Sequence, residues 1–197
     1  MPGVPFVGLT GGIGAGKSTA LGALDRLGAV TLSADDVVHD LYGSSEVRDA
    51  VVSRFGGDVA PGGVVDRPAL ADRAFAADAD REWLEHLIWP LVGSRIAEFR
   101  QRADRGKPTP RAVVIEVPLL FESGSEHGFD ATIAVVADEA LRRQRAAHRG
   151  HRALRERGER HLSQEEKAAK STYVVVNDGD IRELERKLSS VLELLEG

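Results

Sequence analysis

The amino-acid sequence predicts a doubly wound α/β fold, in which helices flank a parallel sheet of five strands. Short apolar runs alternate with longer helical patterns along the chain, and this alternation is typical of stacked βαβ units. A glycine-rich turn joins the first apolar run to the first helical pattern. With 197 residues, of which 42% are hydrophobic, the chain has the size and composition of one domain with small appended subdomains.

The strands are predicted from short apolar runs, of which residues 112–117 are the richest in β-branched residues. The five runs lie at about residues 6–9, 30–32, 112–117, 131–136 and 173–176. Asp35 and Asp36 follow the second of these runs, at the edge where parallel sheets bind ligands.

The helices are predicted from apolar residues that recur every three or four positions. They include residues 17–27, which end before Gly28, then 139–149, a short helix before the last strand, and 181–195. Residues 69–102 are expected to form two or more helices interrupted at Pro90, because proline breaks a helix interior. The polar stretch 150–163 fits either a helix or a mobile segment.

Composition excludes several classes of protein. The chain has no cysteine, which excludes a disulfide scaffold, thiolate-bound zinc and a cysteine nucleophile. Its net charge of −5 argues against a generally basic nucleic-acid binder. No apolar run approaches the roughly 20 residues that span a bilayer, and the N-terminus lacks the basic start of a signal peptide. We therefore expect no membrane partner and a cytoplasmic location.

Residues 11–18, read as G-G-I-G-A-G-K-S, match the P-loop pattern G-x-x-x-x-G-K-[ST] at every fixed position. Glycines let several backbone N–H groups surround an anion, and the following helix adds the positive end of its dipole. Lys17 is expected to reach the β- and γ-phosphates, and the Ser18 hydroxyl to ligate Mg²⁺. The motif thus predicts a P-loop NTPase-type sheet that binds ATP and Mg²⁺.

The P-loop alone does not separate kinases from GTPases or ATPases. The chain has no guanine-reading N-K-x-D segment, and the D-x-x-G at 40–43 falls inside a helical pattern. Strand 112–117 carries Glu116 instead of the usual Walker B aspartate. The small size and the acidic pair after the second strand indicate a small-molecule kinase.

Asp35 and Asp36 follow the second strand, where a kinase needs a carboxylate to take the proton of the acceptor hydroxyl. Ser33 and Asp35 are equally suited to cap a helix, so position alone leaves both roles open.

Residues 142–160 contain eight arginines and carry a net charge of +6, which leaves −11 for the remainder of the chain. Guanidinium groups suit phosphate recognition. We expect a basic lid over ATP at about 146–165, with a solvated helix face as the alternative.

Several segments together resemble the dephospho-CoA kinase family. Residues 8–19 are similar to its signature G-L-T-G-G-I-G-S-G-K-S, and Asp35 lies where the family has D-A-D. Residues 54–56 with 66–70 resemble the next family segment, and E-V-P-L-L-F-E at 116–122 resembles the PLL-x-E element on the CoA side. Arg145 and Arg149 match arginines leading into the lid, residues 160–164 match R-x-x-x-Q, and 177–179 match N-x-G near the adenine.

The resemblance implies transfer of the ATP γ-phosphoryl group to the ribose 3′-hydroxyl of dephospho-CoA, the last step of coenzyme A synthesis. It implies a helical acceptor-binding insertion at about 44–108, catalytic roles for Asp35, Lys17 and Arg145, and Mg²⁺ on Ser18. The residues expected to bind ATP are Gly12, Ile13, Gly14, Ala15, Gly16, Lys17, Ser18, Thr19, Arg149, Asn177 and Gly179. Those expected to bind the acceptor are Thr10, Asp35, Pro118, Leu119, Leu120, Glu122, Arg160 and Gln164.

The sequence departs from the family pattern in four places. Trp89 precedes Pro90 where the family usually has His-Pro, and Ser33 replaces the first aspartate of D-A-D. Ser171 and Thr172 replace an Ala-Asp pair, and the link from Gln164 to the last strand is short. These departures leave open a kinase for another small acceptor, such as a nucleoside, nucleotide or sugar, and a non-catalytic ATP-binding relative.

Overall fold

The computed structural model describes residues 3–148 and 162–197, which form a five-stranded, all-parallel sheet. The strand order β2-β3-β1-β4-β5 places the first strand at the centre. The strands are β1 Phe6–Gly11, β2 Val30–Ser33, β3 Val113–Glu116, β4 Ala131–Val136 and β5 Tyr173–Val176. The predicted fold class is therefore confirmed, with each strand within two residues of its expected bounds.

Eight α-helices are assigned among the described residues, and three short 3₁₀ turns accompany them. The helices are α1 Lys17–Arg26, α2 Ala34–Tyr42, α3 Ser45–Phe55, α4 Arg67–Ala74, α5 Asp78–Arg105, α6 Glu139–His148, α7 Gln164–Lys170 and α8 Ile181–Glu196. In this described part of the chain, no helix is both long and apolar enough to cross a bilayer.

The main core lies between the sheet and the packed pair of α1 and α8. All residues of β1 and β3 are buried, as expected for inner strands of a parallel sheet covered on both faces. From α8, the core receives the residues Leu184, Leu188 and Leu192, which recur every four positions. This confirms the apolar face predicted for the terminal helix.

The predicted interruption at Pro90 is wrong, because α5 runs without a break from Asp78 to Arg105. Proline lacks the N–H that would bond to the carbonyl of His86, and its ring crowds that carbonyl. Flanking turns are held by packing, as at the buried Ile88. One lost hydrogen bond therefore does not end a helix whose other turns are satisfied.

The chain divides into two compact units. One contains the sheet and consists of the described parts of Met1–Ser33 and Arg100–Gly197. The other, Ala34–Phe99, is helical and overlaps the insertion expected at about 44–108. Within the helical unit, Phe55 packs edge-on against Trp83 with ring centroids 5.5 Å apart, and Arg54 pairs with Asp80 at 2.7 Å.

Candidate active site

The P-loop connects the central strand to the first helix. Because β1 ends at Gly11 and α1 begins at Lys17, residues 12–16 form the turn between them. The first turn of α1 carries Lys17, Ser18 and Thr19, with the latter two exposed. The N–H groups at the start of a helix and the positive end of its dipole favour a bound phosphate.

Two glycines of this turn are required both by backbone conformation and by packing. Gly14 and Gly16 have φ values of 76° and 95°, which residues with a side chain rarely adopt. A methyl group at position 14 would collide with the carbonyl oxygen of Arg142, and one at position 16 with the side-chain nitrogen of Asn177. The turn is therefore enclosed by residues from much later in the chain.

Lys17 bends back over the turn that precedes it. Its Nζ donates to the carbonyl oxygens of Gly11 and Gly12 at 3.2 and 3.4 Å. The ammonium group is thereby held beside the loop, where a bound phosphate would meet it.

Asn177 and Arg145 connect the P-loop to the ends of β4 and β5. The Asn177 side chain donates to the carbonyl of Ala15 at 2.8 Å, and its backbone N–H donates to Val136 at 2.8 Å. Arg145 Nη1 donates to the carbonyl of Asn177 at 3.0 Å. Two residues expected in the nucleotide site thus lie together against the P-loop.

Arg142 is a P-loop contact that the sequence did not single out from the other arginines. Its Nε donates to the carbonyl of Ile13 at 3.0 Å, and its guanidinium lies about 3.1 Å from where a Cβ of Gly12 would be. The pKa of the Glu165 carboxyl is lowered, first by a hydrogen bond from the backbone of Glu165 itself and then by one from Gln164. The positive charge of Arg142 adds to this effect.

A cavity of about 380 Å³ lies beside the P-loop, within the size range of small-molecule pockets. Ile181 and Leu184 give it an apolar wall that the sequence analysis did not predict, although their helical periodicity was visible. The lining residues are Gly14, Gly16, Thr19, Arg145, Asn177, Gly179, Ile181 and Leu184.

The residues expected on the acceptor side differ in accessibility. Pro118 and Leu119 follow β3, and Leu119 is exposed. Thr10 and Leu120 are fully buried. Thr10 Oγ1 donates to the carbonyl of Pro118 at 3.2 Å. These two buried residues therefore support the loop from inside and do not form its surface.

Glu122 and Gln164 both bond to the protein itself. Glu122 Oε1 accepts from Leu162 N–H and pairs with Lys167 Nζ, each at 2.9 Å. The Gln164 amide forms two hydrogen bonds with the backbone of Ala137, at 3.1 and 2.9 Å. Lys167 was absent from the sequence-based site, because a lysine in a polar helix resembles a surface residue.

Two residues that could supply an oxygen ligand to Mg²⁺, Ser18 and Glu116, lie on the sheet-bearing unit. Ser18 is exposed in the first turn of α1. Glu116 ends β3 and is paired in register with Leu9 of β1 on one side and Ser33 of β2 on the other. Among the described residues, no group of three or more His, Cys, Asp or Glu side chains forms a metal cage.

Asp35 belongs to the helical unit and lies in the first turn of α2, two residues after the end of β2.

Arg149, Arg160 and most of the expected lid at 146–165 lie outside the described residues.

One departure from the family pattern, Thr172, has a structural explanation, and another, Trp89, does not. Thr172 and Thr132 bond reciprocally, each backbone N–H donating to the other's Oγ1 at 3.0 Å. This pair lies at the amino ends of β4 and β5, opposite the edge that carries the P-loop. Trp89 is 56% exposed in α5, and its replacement of histidine has no explanation in the contacts of the helical unit.

Comparison with known proteins identifies the family. Residues 5–183 match the family model described as Dephospho-CoA kinase. The chain is 34% identical over 193 residues to the dephospho-CoA kinase of Protochlamydia amoebophila, covering 96% of this chain and 95% of the relative. It is 40% identical over 175 residues to that of Rhizobium meliloti, covering 86% and 87%.

A solved structure has the same fold as this chain. The crystal structure of TT1252 from Thermus thermophilus aligns over 100% of both chains, with a TM-score of 0.79 and 30% identity. The chain therefore belongs to the dephospho-CoA kinase family, whose members are transferases that use ATP to phosphorylate dephospho-CoA.

Proposed function

We propose that this chain transfers the γ-phosphoryl group of ATP to the ribose 3′-hydroxyl of dephospho-CoA through the residues assigned below, in the cytoplasm. The observation that carries the proposal is the geometry of the P-loop. Asn177 and Arg142 donate hydrogen bonds to its carbonyls, and a cavity of about 380 Å³ lies beside it. A phosphate-binding loop next to a cavity with polar and apolar walls suits a nucleotide. The triphosphate needs the loop, and the base needs the partly apolar cavity.

The P-loop residues 12–19 bind the triphosphate in this proposal. Backbone N–H groups of the loop and the start of α1 donate to phosphate oxygens. Lys17 neutralises charge on the β- and γ-phosphates. Arg145, which lines the cavity, stabilises the charge that spreads over the transferring phosphoryl group. Gly179 and Asn177 border the base, and Arg149 completes the ATP site.

Ser18 would hold Mg²⁺, with Glu116 at the position of the Walker B carboxylate. Mg²⁺ usually takes one or two protein oxygens and completes its shell with phosphates and water, so an exposed Ser18 without a multi-carboxylate cage among the described residues fits the ion. When bound, Mg²⁺ neutralises charge on the β- and γ-phosphates.

Asp35 acts on the acceptor. Its carboxylate orients the 3′-hydroxyl and accepts its proton as the oxygen attacks the γ-phosphorus and ADP leaves. Its position just beyond the carboxyl end of β2 supports this role, because parallel sheets bind ligands at that edge. Pro118 and Leu119 provide acceptor contacts, Thr10, Leu120, Glu122 and Gln164 hold the surrounding loops, and Arg160 binds acceptor phosphate.

Two substitutions test which residue binds ATP and which acts in the phosphoryl-transfer step. Lys17→Ala should lower kcat/KM by about 10²–10³ and weaken ATP binding, because a preorganised phosphate donor is lost. Asp35→Asn should lower kcat by about 10²–10⁴ while the ATP Kd stays near that of the wild type. The measurements are ATP titration calorimetry and acceptor-dependent ADP release.

Asp36→Asn is the matched control for the second substitution, since it removes a neighbouring carboxylate of the same helix turn. It should retain far more turnover than Asp35→Asn. An Asp35→Asn enzyme with wild-type kcat would remove Asp35 from the role of base.

A further inference from the structure

The side chain of Lys167 is almost completely buried, with 2% of its surface exposed. Burial of an ammonium group is costly unless charged and hydrogen-bonded partners replace its water. Lys167 has both, since Nζ lies 2.5 Å from the carbonyl oxygen of Pro118 and 2.9 Å from Glu122 Oε1. A lysine in such a site needs an explanation beyond surface solvation.

The two partners of Lys167 mark the beginning and the end of one short loop. Pro118 comes two residues after β3, and Glu122 lies four residues further along. Residues 118–122 form the acceptor loop, in which the proposed function assigns acceptor contacts to Pro118 and Leu119. A single buried cation on α7 thus fixes both ends of this acceptor loop.

Two other anchors act on the same loop. Thr10 Oγ1 donates to the same Pro118 carbonyl at 3.2 Å. The Leu120 side chain fills the space above Gly8 of β1, where a Cβ would lie 3.0 Å from Leu120 Cδ2. The loop is therefore attached to the P-loop strand by Thr10 and Leu120 and to α7 by Lys167, which leaves Leu119 as its exposed member.

The carboxylate of Glu122 is directed into the protein. Only 9% of its side chain is exposed, and Oε1 accepts from both Lys167 and Leu162 N–H. Its Oε2 is buried without a hydrogen-bond partner in the described part of the chain. A carboxylate in this state depends on the ammonium for compensation, so the pair acts as one structural unit beneath the acceptor loop.

We propose that Lys167 is a positioning residue for the acceptor substrate, acting through the Pro118 carbonyl and Glu122 to hold residues 118–122 in their acceptor-binding conformation. The inference rests on the proposed function, which places the acceptor at this loop. It assigns Lys167 no contact with ATP, because its partners lie on the loop after β3 and not on residues 12–19.

The test compares Lys167→Met with Lys187→Met. Lys187 is a matched control because its Nζ also bonds to a backbone carbonyl, Val176, and to a carboxylate, Glu183, but its side chain is 37% exposed. The Kd of dephospho-CoA is measured by calorimetry with a non-hydrolysable ATP analogue present, the Kd of ATP separately, and both KM values from turnover.

Lys167→Met should weaken dephospho-CoA binding by about tenfold or more, the size of one lost hydrogen bond to a charged group. The ATP Kd should stay within about twofold of the wild type, and Lys187→Met should change neither constant. Unchanged acceptor affinity in Lys167→Met, or an equal loss for ATP and acceptor, overturns the proposal.

Removal of the ammonium alone leaves a buried unpaired carboxylate, which destabilises the fold. The double variant Glu122→Gln with Lys167→Met removes both charges and keeps the question open to test if the single variant does not fold. It should show the same selective loss of acceptor binding, and wild-type acceptor affinity contradicts the proposal. A wild-type enzyme without dephospho-CoA turnover is a different result, which defeats the proposed function itself.

Discussion

At the scale of single residues, Gly16 shows how much of the site a sequence motif predicts. The P-loop pattern predicted a glycine here because the loop must bring backbone N–H groups around a phosphate, and the φ of 95° agrees. The packing reason, contact with Asn177, involves a residue 161 positions later. No local pattern relates two such positions, so only the folded chain reveals that partner.

Gly16→Ala should damage both stability and ATP binding. A methyl group at this φ adds about 1–2 kcal/mol of backbone strain and displaces the Asn177 amide from Ala15. We expect a lower midpoint of chemical denaturation and an ATP affinity reduced by about tenfold or more, measured by urea titration and calorimetry.

Gly22→Ala is the control for this substitution, because Gly22 lies inside α1 with only an ordinary contact to Arg26 at its would-be Cβ. Alanine there should stabilise the protein by about 0.5–1 kcal/mol and leave ATP binding unchanged. Equal behaviour of the two variants would show that position 16 carries no special constraint.

The protein partners of the polar site residues were the least predictable part of the site. The resemblance to the family placed Glu122 and Gln164 among acceptor contacts, and the structure adds a bond from each to other protein groups. Lys167 was not predicted at all. A residue's type states which bonds it forms, but its partner is set by tertiary packing, which the linear sequence does not display.

At the scale of elements, α5 is where local propensity predicted the wrong result. Proline normally ends a helix, yet α5 continues through Pro90 from Asp78 to Arg105. By contrast, the amphipathic pattern of α8 predicted its extent to within one residue. Periodicity that extends over four turns is a stronger signal than a single unfavourable residue.

Pro90→Ala should stabilise α5. The substitution restores an N–H that can bond to the carbonyl of His86 and removes the steric conflict, an effect of up to about 3 kcal/mol in a helix interior. We expect a higher denaturation midpoint, measured by circular dichroism during a urea titration.

Pro68→Ala provides the opposite case, because Pro68 lies in the first turn of α4, where proline is already favoured. It should be neutral or lose about 0.4–1 kcal/mol through the greater freedom of the unfolded chain. A destabilised Pro90→Ala variant would mean that the helix depends on a kink at this position.

At the scale of the whole molecule, the sheet separates support from chemistry. Its carboxyl edge carries the P-loop, Glu116 and Asn177, while its amino edge carries the Thr132–Thr172 pair. A departure from the family pattern at Thr172 therefore alters the edge opposite the nucleotide cradle. The βαβ pattern predicted parallel strands and ligands at their carboxyl edge. It did not predict the strand order β2-β3-β1-β4-β5, which depends on how strands distant in sequence pair in the folded chain.

As a whole, the molecule is an ATP-dependent kinase of dephospho-CoA. The most direct test is ADP release from Mg·ATP by the purified protein, with dephospho-CoA and a panel of nucleosides, nucleotides and sugars as acceptors. We expect turnover with dephospho-CoA and a product that is phosphorylated at the ribose 3′ position, identified by mass and phosphorus NMR. Turnover only with another acceptor, or ATP binding without any turnover, would contradict it.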